Sequence, residues 1–373
     1  MKPALLRYLR CPYCHCNFEL KSGRRLPISL SYQEKQIIYQ KYANASEYEM
    51  EVLTGVLICM GCGISFPVRQ GVPRIFHTAE KGLPLNQHFA ASGGKFSECL
   101  RENAVQTSFS REWDEFKYED QTIWLWSADQ RLDTFCEEIG IPSPEELQGK
   151  LMIDAGCGSG VLSINLATKY LVEIIAFDMS DVVARAFQAN RSNLCHFVQA
   201  SVFTPPLAGN IADLTYSHGV LHHTSDPRRA FDALARLSRA GGLFYVWLYG
   251  RKKGWNRFRF VFIRAARTII SRLPEAPQTV MIRVMASLHR TIHSLKRLVG
   301  MKSARYRSNS QFLVGIRDKY TPLYAKEHEE DEIKNWFLRN GYIEVERRNT
   351  WEKTKQWTGS TDLAIKGRRQ WVE

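Results

Sequence analysis

The stretch 151–160 limits what this chain can fold into more than any other part of it. Three apolar residues, Leu151-Met152-Ile153, run into Asp154-Ala155-Gly156-Cys157-Gly158-Ser159-Gly160, and an apolar helical pattern follows to about Tyr170. A buried strand that turns through glycines into a helix is the opening unit of a doubly wound α/β sheet. The alternation continues. Strands are expected at 172–177 ahead of Asp178, at 195–198 ahead of Ser201, and at 211–217 ahead of His218-Gly219-Val220-Leu221-His222-His223. A buried fifth strand is expected at 243–249, after a Gly241-Gly242 turn. In such a sheet the ligand site lies at the carboxyl ends of the strands.

A glycine turn alone does not choose the nucleotide. The dinucleotide spacing would place glycine at 161, where this chain has Val161. Asp154, ahead of the glycines, repels a pyrophosphate and tolerates a cationic ammonium and sulfonium. Asp178, at the end of the next strand, suits the two hydroxyls of a ribose. Together these residues favour S-adenosyl-L-methionine over a nicotinamide dinucleotide.

The run 151–160, with Phe177-Asp178-Met179-Ser180 and Gly219-Val220-Leu221-His222-His223, resembles motifs of the class I S-adenosylmethionine-dependent methyltransferases, nearest their broad type 11 group. The resemblance covers roughly 150–250 and resumes near 310–366. It implies a Rossmann-like sheet, mostly parallel, with one antiparallel edge hairpin from strands near 342–347 and 361–365. It implies that Gly156, Gly158 and Gly160 admit the methionine portion of the cofactor. Asp178 would bind the ribose and Met179 would pack on the adenine, with Asp154 and Ser217 completing the cofactor-binding set. Ser201 stands where the family carries an acid that binds the adenine amino group, and a serine can still accept that bond.

Four of the nine cysteines fall in two knuckles, Cys11-Pro12-Tyr13-Cys14 and Cys59-Met60-Gly61-Cys62. Each CxxC aims two thiolates at one point, so the pairs complete a tetrahedral shell for structural zinc. The other five are single, a usage that suits a reduced, cytoplasmic protein rather than a disulfide framework. The polar stretch 32–51 reads as an insertion between the knuckles, and Cys16 as a bystander. Leu5-Leu6-Arg7-Tyr8-Leu9-Arg10-Cys11-Pro12-Tyr13-Cys14, with Phe66-Pro67-Val68-Arg69-Gln70-Gly71-Val72-Pro73, resembles the Trm112-like zinc domain, whose members activate methyltransferases. A closed four-thiolate site has no open position for substrate.

Methyl transfer is a displacement at a sulfonium carbon, so the protein must align the acceptor and, for a hydroxyl or acidic carbon, remove a proton. His222 and His223 follow the fourth strand, beside the expected methyl group, and a histidine titrates near neutrality. Two readings stand side by side: a general base, or a pair packed against the cofactor. Tyr249, Tyr320 and His328 are weaker candidates.

The chain's net charge of +13 is local, because 251–307 holds fifteen Lys or Arg against Glu275 alone. Two amphipathic helices are expected there. Phe258, Val261, Phe262, Ala265, Ala266, Ile269 and Ile270 make one apolar face; Met281, Val284, Met285, Leu288, Ile292, Leu295 and Val299 make the other. Arg283, Arg290 and Arg297 fall seven apart. The segment reads as a helical lid on the sheet with a basic exterior. Its partner is a small, hydrophobic or anionic acceptor, lipid-like or phosphate-bearing, or an anionic membrane surface. RNA is the lesser alternative, since no RNA-binding module and no interleaved aromatics accompany the charge.

The expected organisation is a zinc domain over 1–78, a helical connector over 79–145 and a catalytic domain over 146–250 and 308–373, with the lid over 251–307. In the connector, Phe109, Trp113 and Phe116 recur at helical spacing ahead of Trp124 and Trp126. The expected activity is transfer of a methyl group to an oxygen or carbon of a small acceptor. An RNA methyltransferase and a non-catalytic scaffold that binds zinc and cofactor are the alternatives. No run of roughly 18 uncharged apolar residues suggests a membrane span, and the start does not read as a signal peptide.

Overall fold

The computed structural model describes residues 1–42, 45–76, 96–116, 122–123, 126–252, 255–300, 309–348 and 362–371. Residues 79–95 of the connector, Trp124 and residues 301–308 lie outside the described residues, as do the side chains of Trp126, Arg257 and Phe258.

The N-terminal part contains β1 (Phe18–Ser22), β2 (Arg25–Pro27), α1 (Tyr32–Lys41), β3 (Met50–Val52), β4 (Gly55–Cys59), β5 (Ser65–Arg69) and β6 (Val72–Ile75). The connector supplies α2 (Phe96–Asp114), a small hairpin of β7 (Thr122–Ile123) and β8 (Trp126–Ser127), and α3 (Ala128–Ile139). The alternating region follows as β9 (Leu151–Ala155), α4 (Val161–Tyr170), β10 (Glu173–Asp178), α5 (Val182–Ala189), β11 (Cys195–Ala200), β12 (Ala212–His218), α6 (Pro227–Ala235) and β13 (Ser238–Leu248). Three helices come next, α7 (Trp255–Ile270), α8 (Glu275–Leu298) and α9 (Asn309–Tyr320), then α10 (Glu330–Arg339), β14 (Tyr342–Arg347) and β15 (Leu363–Arg369).

Among the described residues eleven strands join in one sheet of order β1-β4-β5-β6-β11-β10-β9-β12-β13-β15-β14, while β2 pairs with β3 and β7 with β8. Strands β11, β10, β9, β12 and β13 run parallel, while β15 and β14 close the edge antiparallel. Every residue of β9 and of β11 is buried. Helices cover both faces of a parallel sheet, so even Asp154, His196 and Gln199 on these strands are buried. The expected α/β architecture and edge hairpin are both present.

The N-terminal strands do not stand apart from this sheet. Strand β6 pairs parallel with β11, Arg74 opposite Gln199 and Ile75 opposite Ala200. Beside that seam Glu173, at the start of β10, is 1% exposed. Its carboxylate accepts from Tyr8 Oη at 3.2 Å, Tyr48 Oη at 2.5 Å and Lys41 Nζ at 2.7 Å, and also from Tyr42 Oη. Glu34 of α1 accepts from the backbone N–H of Asn193 at 2.7 Å and from its side chain at 3.0 Å. The stretch read as a polar insertion therefore adds to the β6–β11 pairing in holding the N-terminal part to the sheet. Glu34, Tyr48 and Glu51 of this stretch are buried, and hydrogen bonds satisfy their polar atoms.

Helices α7, α8 and α9 share a small core of Ile263, Ile270, Ile282, Ala286, Phe312, Ile316 and Tyr320. The expected apolar stripes are real, but much of each points outward. Phe262 is 76% exposed and Leu288 51%. Periodicity identifies a face without saying which way it turns, and here the buried face is the narrower one, Ile282 and Ala286.

Candidate active site and zinc cluster

The glycine turn after β9 needs left-handed backbone, with φ +52° at Gly158 and +70° at Gly160, which glycine adopts at little steric cost. The two positions differ in what crowds them. A Cβ at Gly160 would lie 2.7 Å from the Phe197 ring, so this glycine packs the turn against β11. At Gly158 it would lie 2.3 Å from the ring of Trp113, which comes from α2.

Helix α2 lies across the carboxyl ends of the strands. Glu102 accepts from Ser201 Oγ at 3.2 Å, Ser110 Oγ accepts from the Asp181 N–H at 3.2 Å, and Arg185 donates to the Trp113 carbonyl at 2.9 Å. The Phe109 ring meets His223 edge-on at 5.4 Å. The aromatics of the connector thus close over the strand ends, with Trp113 and Phe116 stacked edge to face at 5.8 Å.

Three carboxyl groups, Asp154, Asp178 and Glu112, lie where this helix meets the glycine turn. Asp154 is buried and accepts from Ser163 Oγ at 2.5 Å, and burial pushes its carboxyl up to about 6. Asp178 accepts from the N–H of Gly158 at 3.0 Å and from Ser180 N and Oγ at 2.8 and 2.6 Å. Burial raises it as well, against those hydrogen bonds. Glu112 of α2 is 1% exposed and its Oε2 has no partner among the described residues. Burial, with Asp318 and Asp178 adding to it, pushes its carboxyl well above the usual range, Arg317 opposing. Removing these groups from water costs least when a cation replaces the solvent.

Beyond β12 the two histidines part company. His222 is fully buried and neither ring nitrogen has a hydrogen-bond partner among the described residues. Its ring stacks on Tyr249 at 3.8 Å, and burial, helped by His223 and His328, holds its imidazole well below the usual value. His223 meets the Tyr324 carbonyl through Nδ1 at 2.8 Å and Asp318 Oδ1 through Nε2 at 3.4 Å. Tyr249 Oη donates to the other oxygen of Asp318 at 3.3 Å. Asp318 belongs to α9, so this helix of the three-helix layer forms one wall of the site. Burial, then Asp318, raises the Tyr249 phenol, which therefore stays a donor.

Of the other expected residues, Ser217 is buried and donates to the Ala155 carbonyl at 3.0 Å, while the Met179 carbonyl accepts from Gln199 at 2.9 Å. His328 pairs with Glu332 at 3.1 Å, and Tyr320 sits in the three-helix core beside His289. Sequence reasoning missed Glu102, Glu112 and Asp318.

Away from this site, the sulfurs of Cys11, Cys14, Cys59 and Cys62 all lie within 4.8 Å of one another. Cys11 and Cys62 are 3.7 Å apart, Cys14 and Cys59 3.3 Å. Zinc with bonds of about 2.3 Å to four sulfurs sets them roughly 3.8 Å apart, so the donor set fits. Cys16 is exposed and outside the cluster.

Residues 153–246 match the methyltransferase domain family, and residues 2–71 match the Trm112p-like protein family. An uncharacterized protein of Synechococcus sp. is 35% identical over 104 residues, 26% of this chain and 25% of that one. The ubiquinone biosynthesis O-methyltransferase of Sinorhizobium fredii is 28% identical over 119 residues, 31% of this chain and 48% of its own. An O-methyltransferase of Aspergillus nomiae is 29% identical over 131 residues, 32% of this chain and 58% of its own. The chain thus spans between a quarter and three-fifths of the length of these relatives. Phosphoethanolamine N-methyltransferase 2 of Haemonchus contortus overlaps 73% of this chain and 60% of its own at 13% identity and a TM-score of 0.45. No described helix is long and apolar enough to cross a membrane.

Proposed function

We propose that this chain, which joins a Trm112p-like domain to a methyltransferase domain, moves the methyl group of S-adenosyl-L-methionine to an oxygen or carbon of a small acceptor. When bound, the cofactor supplies a methyl group on a sulfonium. The reading is carried by one juxtaposition: acids at the glycine turn, Asp154 and Asp178, face the His223–Asp318–Tyr249 cluster across the strand ends. An acid-lined turn suits a cationic cofactor. A pyrophosphate placed there would meet like charge without a compensating described cation at the turn.

Asp178 holds the ribose hydroxyls while the N–H of Gly158 keeps its carboxylate oriented. Glu102 brings to Ser201 the carboxylate that position 201 lacks, at the adenine end. Glu112, buried without a partner for Oε2, faces the positive end of the cofactor. Cys11, Cys14, Cys59 and Cys62 hold zinc, which ties the knuckles and leaves no site for substrate.

The acceptor proton passes to the His223–Asp318 pair. Both ring nitrogens of His223 face oxygen acceptors, so the ring makes both contacts only as imidazolium, and Asp318 compensates the charge it gains. Tyr249 donates to Asp318 and orients it. His222, without a partner for either nitrogen, packs against Tyr249. An oxygen acceptor is favoured because such chemistry needs the proton removed, and two of the relatives are named O-methyltransferases.

Radiolabelled methyl transfer to a panel of phenols, carboxylic acids and lipid-like metabolites tests this reading. His223→Gln should lower kcat about 100-fold while leaving cofactor affinity unchanged. Transfer to no acceptor by a chain that binds the cofactor would instead support the scaffold reading.

A further inference from the structure

The outer surfaces of α7 and α8 carry exposed apolar residues that methyl transfer does not use. On α8, Val280, Val284, Leu288, Ile292, Leu295 and Val299 recur every three or four residues, which places them along one side of the helix. All six are exposed, from 44% at Val284 to 70% at Val299. On α7, Val261, Phe262 and Ile269 are 59, 76 and 65% exposed. A soluble face of this composition is uncommon, and contiguous exposed apolar surface marks an interaction site.

The charges are arranged around this stripe. Arg283, Arg290 and Arg297, spaced seven apart, form a row between the exposed stripe and the buried face of Ile282 and Ala286. Arg264 is exposed on α7 and Arg272 at its end. The acid of the segment, Glu275, sits at the start of α8 and pairs with Arg111 at 3.1 Å. An apolar ridge bordered by arginines, with no acid along it, fits a surface that offers hydrocarbon flanked by negative charge.

We propose that the outer faces of α7 and α8 dock this protein onto anionic lipid bilayers. The helices lie in the interface plane, with Phe262, Leu288 and Leu295 below the headgroups and the arginines among the phosphates. A second copy of the chain fits less well, since two such faces would bring their arginine rows together. RNA fits less well too, since its phosphates find no use for the exposed apolar side chains. The inference does not depend on methyl transfer.

Co-sedimentation of the full chain with vesicles is the test. Phosphatidylcholine alone is compared with a mixture of three parts phosphatidylcholine to one part phosphatidylglycerol. The anionic vesicles should bind at least about tenfold more tightly, and the difference should shrink in high salt. The double variant Leu288→Asp and Leu295→Asp, both at exposed positions, should lose at least about tenfold in binding while keeping its melting temperature and its affinity for S-adenosylhomocysteine. Arg283→Gln with Arg297→Gln should lose only the anionic preference. No vesicle binding by the full chain overturns the proposal, as does equal binding by the aspartate variant. Light scattering that shows a dimer broken by the aspartates, without vesicle binding, assigns the face to a second copy and also overturns it. So does transfer RNA bound equally by native chain and aspartate variant, in preference to vesicles. Affinity for S-adenosylhomocysteine without vesicles is measured separately, so failure here leaves the catalytic reading standing.

Discussion

Three tyrosine hydroxyls and Lys41 converge on the Glu173 carboxylate, and His196 lies beside it. Burial alone would raise this carboxyl, but the hydrogen bonds and charges of His196 and Lys41 hold it well below its usual range. A carboxyl depressed in the folded state stabilises the fold above its unfolded value of about 4.3, and that contribution is lost as the pH falls below it. Melting temperature should therefore begin to drop near the unfolded value of about 4.3 and keep dropping as the pH falls further, and Glu173→Gln should flatten that part of the curve. At pH 7 the substitution should cost about 3–5 kcal/mol, because it takes the charge from a buried site that His196 and the hydroxyls of Tyr8, Tyr42 and Tyr48 surround; a loss under about 1 kcal/mol would contradict the seam. At the candidate site, Asp178→Ala should weaken S-adenosylhomocysteine binding by about 1–3 kcal/mol, read by calorimetry, and unchanged affinity would remove Asp178 from the ribose. Residues such as Asp178, Gly158 and the four cysteines were legible because their chemistry is local: a few consecutive residues form the turn or the knuckle. Glu102, Glu112 and Asp318 were not. They are single acids on helices far along the chain, and acids on helices usually face water; only the tertiary fold turns them inward.

Helix α2 is where element and site meet. Its Trp113 covers Gly158, its Glu112 lies buried toward Asp178 and Asp318, and its Glu102 meets Ser201. A ligand at the glycine turn must reach it past this helix, so cofactor binding and the order of α2 should be linked. Amide hydrogen exchange across residues 102–116 should slow when S-adenosylhomocysteine is added, and exchange identical with and without ligand would count against that linkage. The sequence periodicity located the helices of this region and of the basic segment. What it could not supply was direction. The stripe of α8 was expected to lie on the sheet, but α9, with Phe312, Ile316 and Tyr320, presents a small contact surface that Ile282 and Ala286 already fill. The longer aliphatic residues are left outside, at the positions that the bilayer proposal uses.

At the scale of the whole molecule, the part that carries the four-cysteine cluster and the alternating region share one sheet through β6 and β11. The alternation of strands and helices announced the parallel sheet, and the paired knuckles announced the cluster of four cysteines. Their continuity was hidden, because a strand pairing between two sheet edges needs only compatible backbone and leaves no side-chain signature. The shared sheet implies shared stability: metal analysis should find one zinc per chain, and Cys11→Ser with Cys62→Ser should remove it and lower the melting temperature in a single transition. Two separate transitions would mean that the parts unfold independently. The central claim is that the acid-lined glycine turn holds S-adenosylmethionine. Calorimetric titration of the full chain with S-adenosylhomocysteine, and in parallel with NAD, tests it most directly. The account predicts binding of the first at micromolar affinity or tighter and none of the second; NAD binding without S-adenosylhomocysteine binding would contradict it.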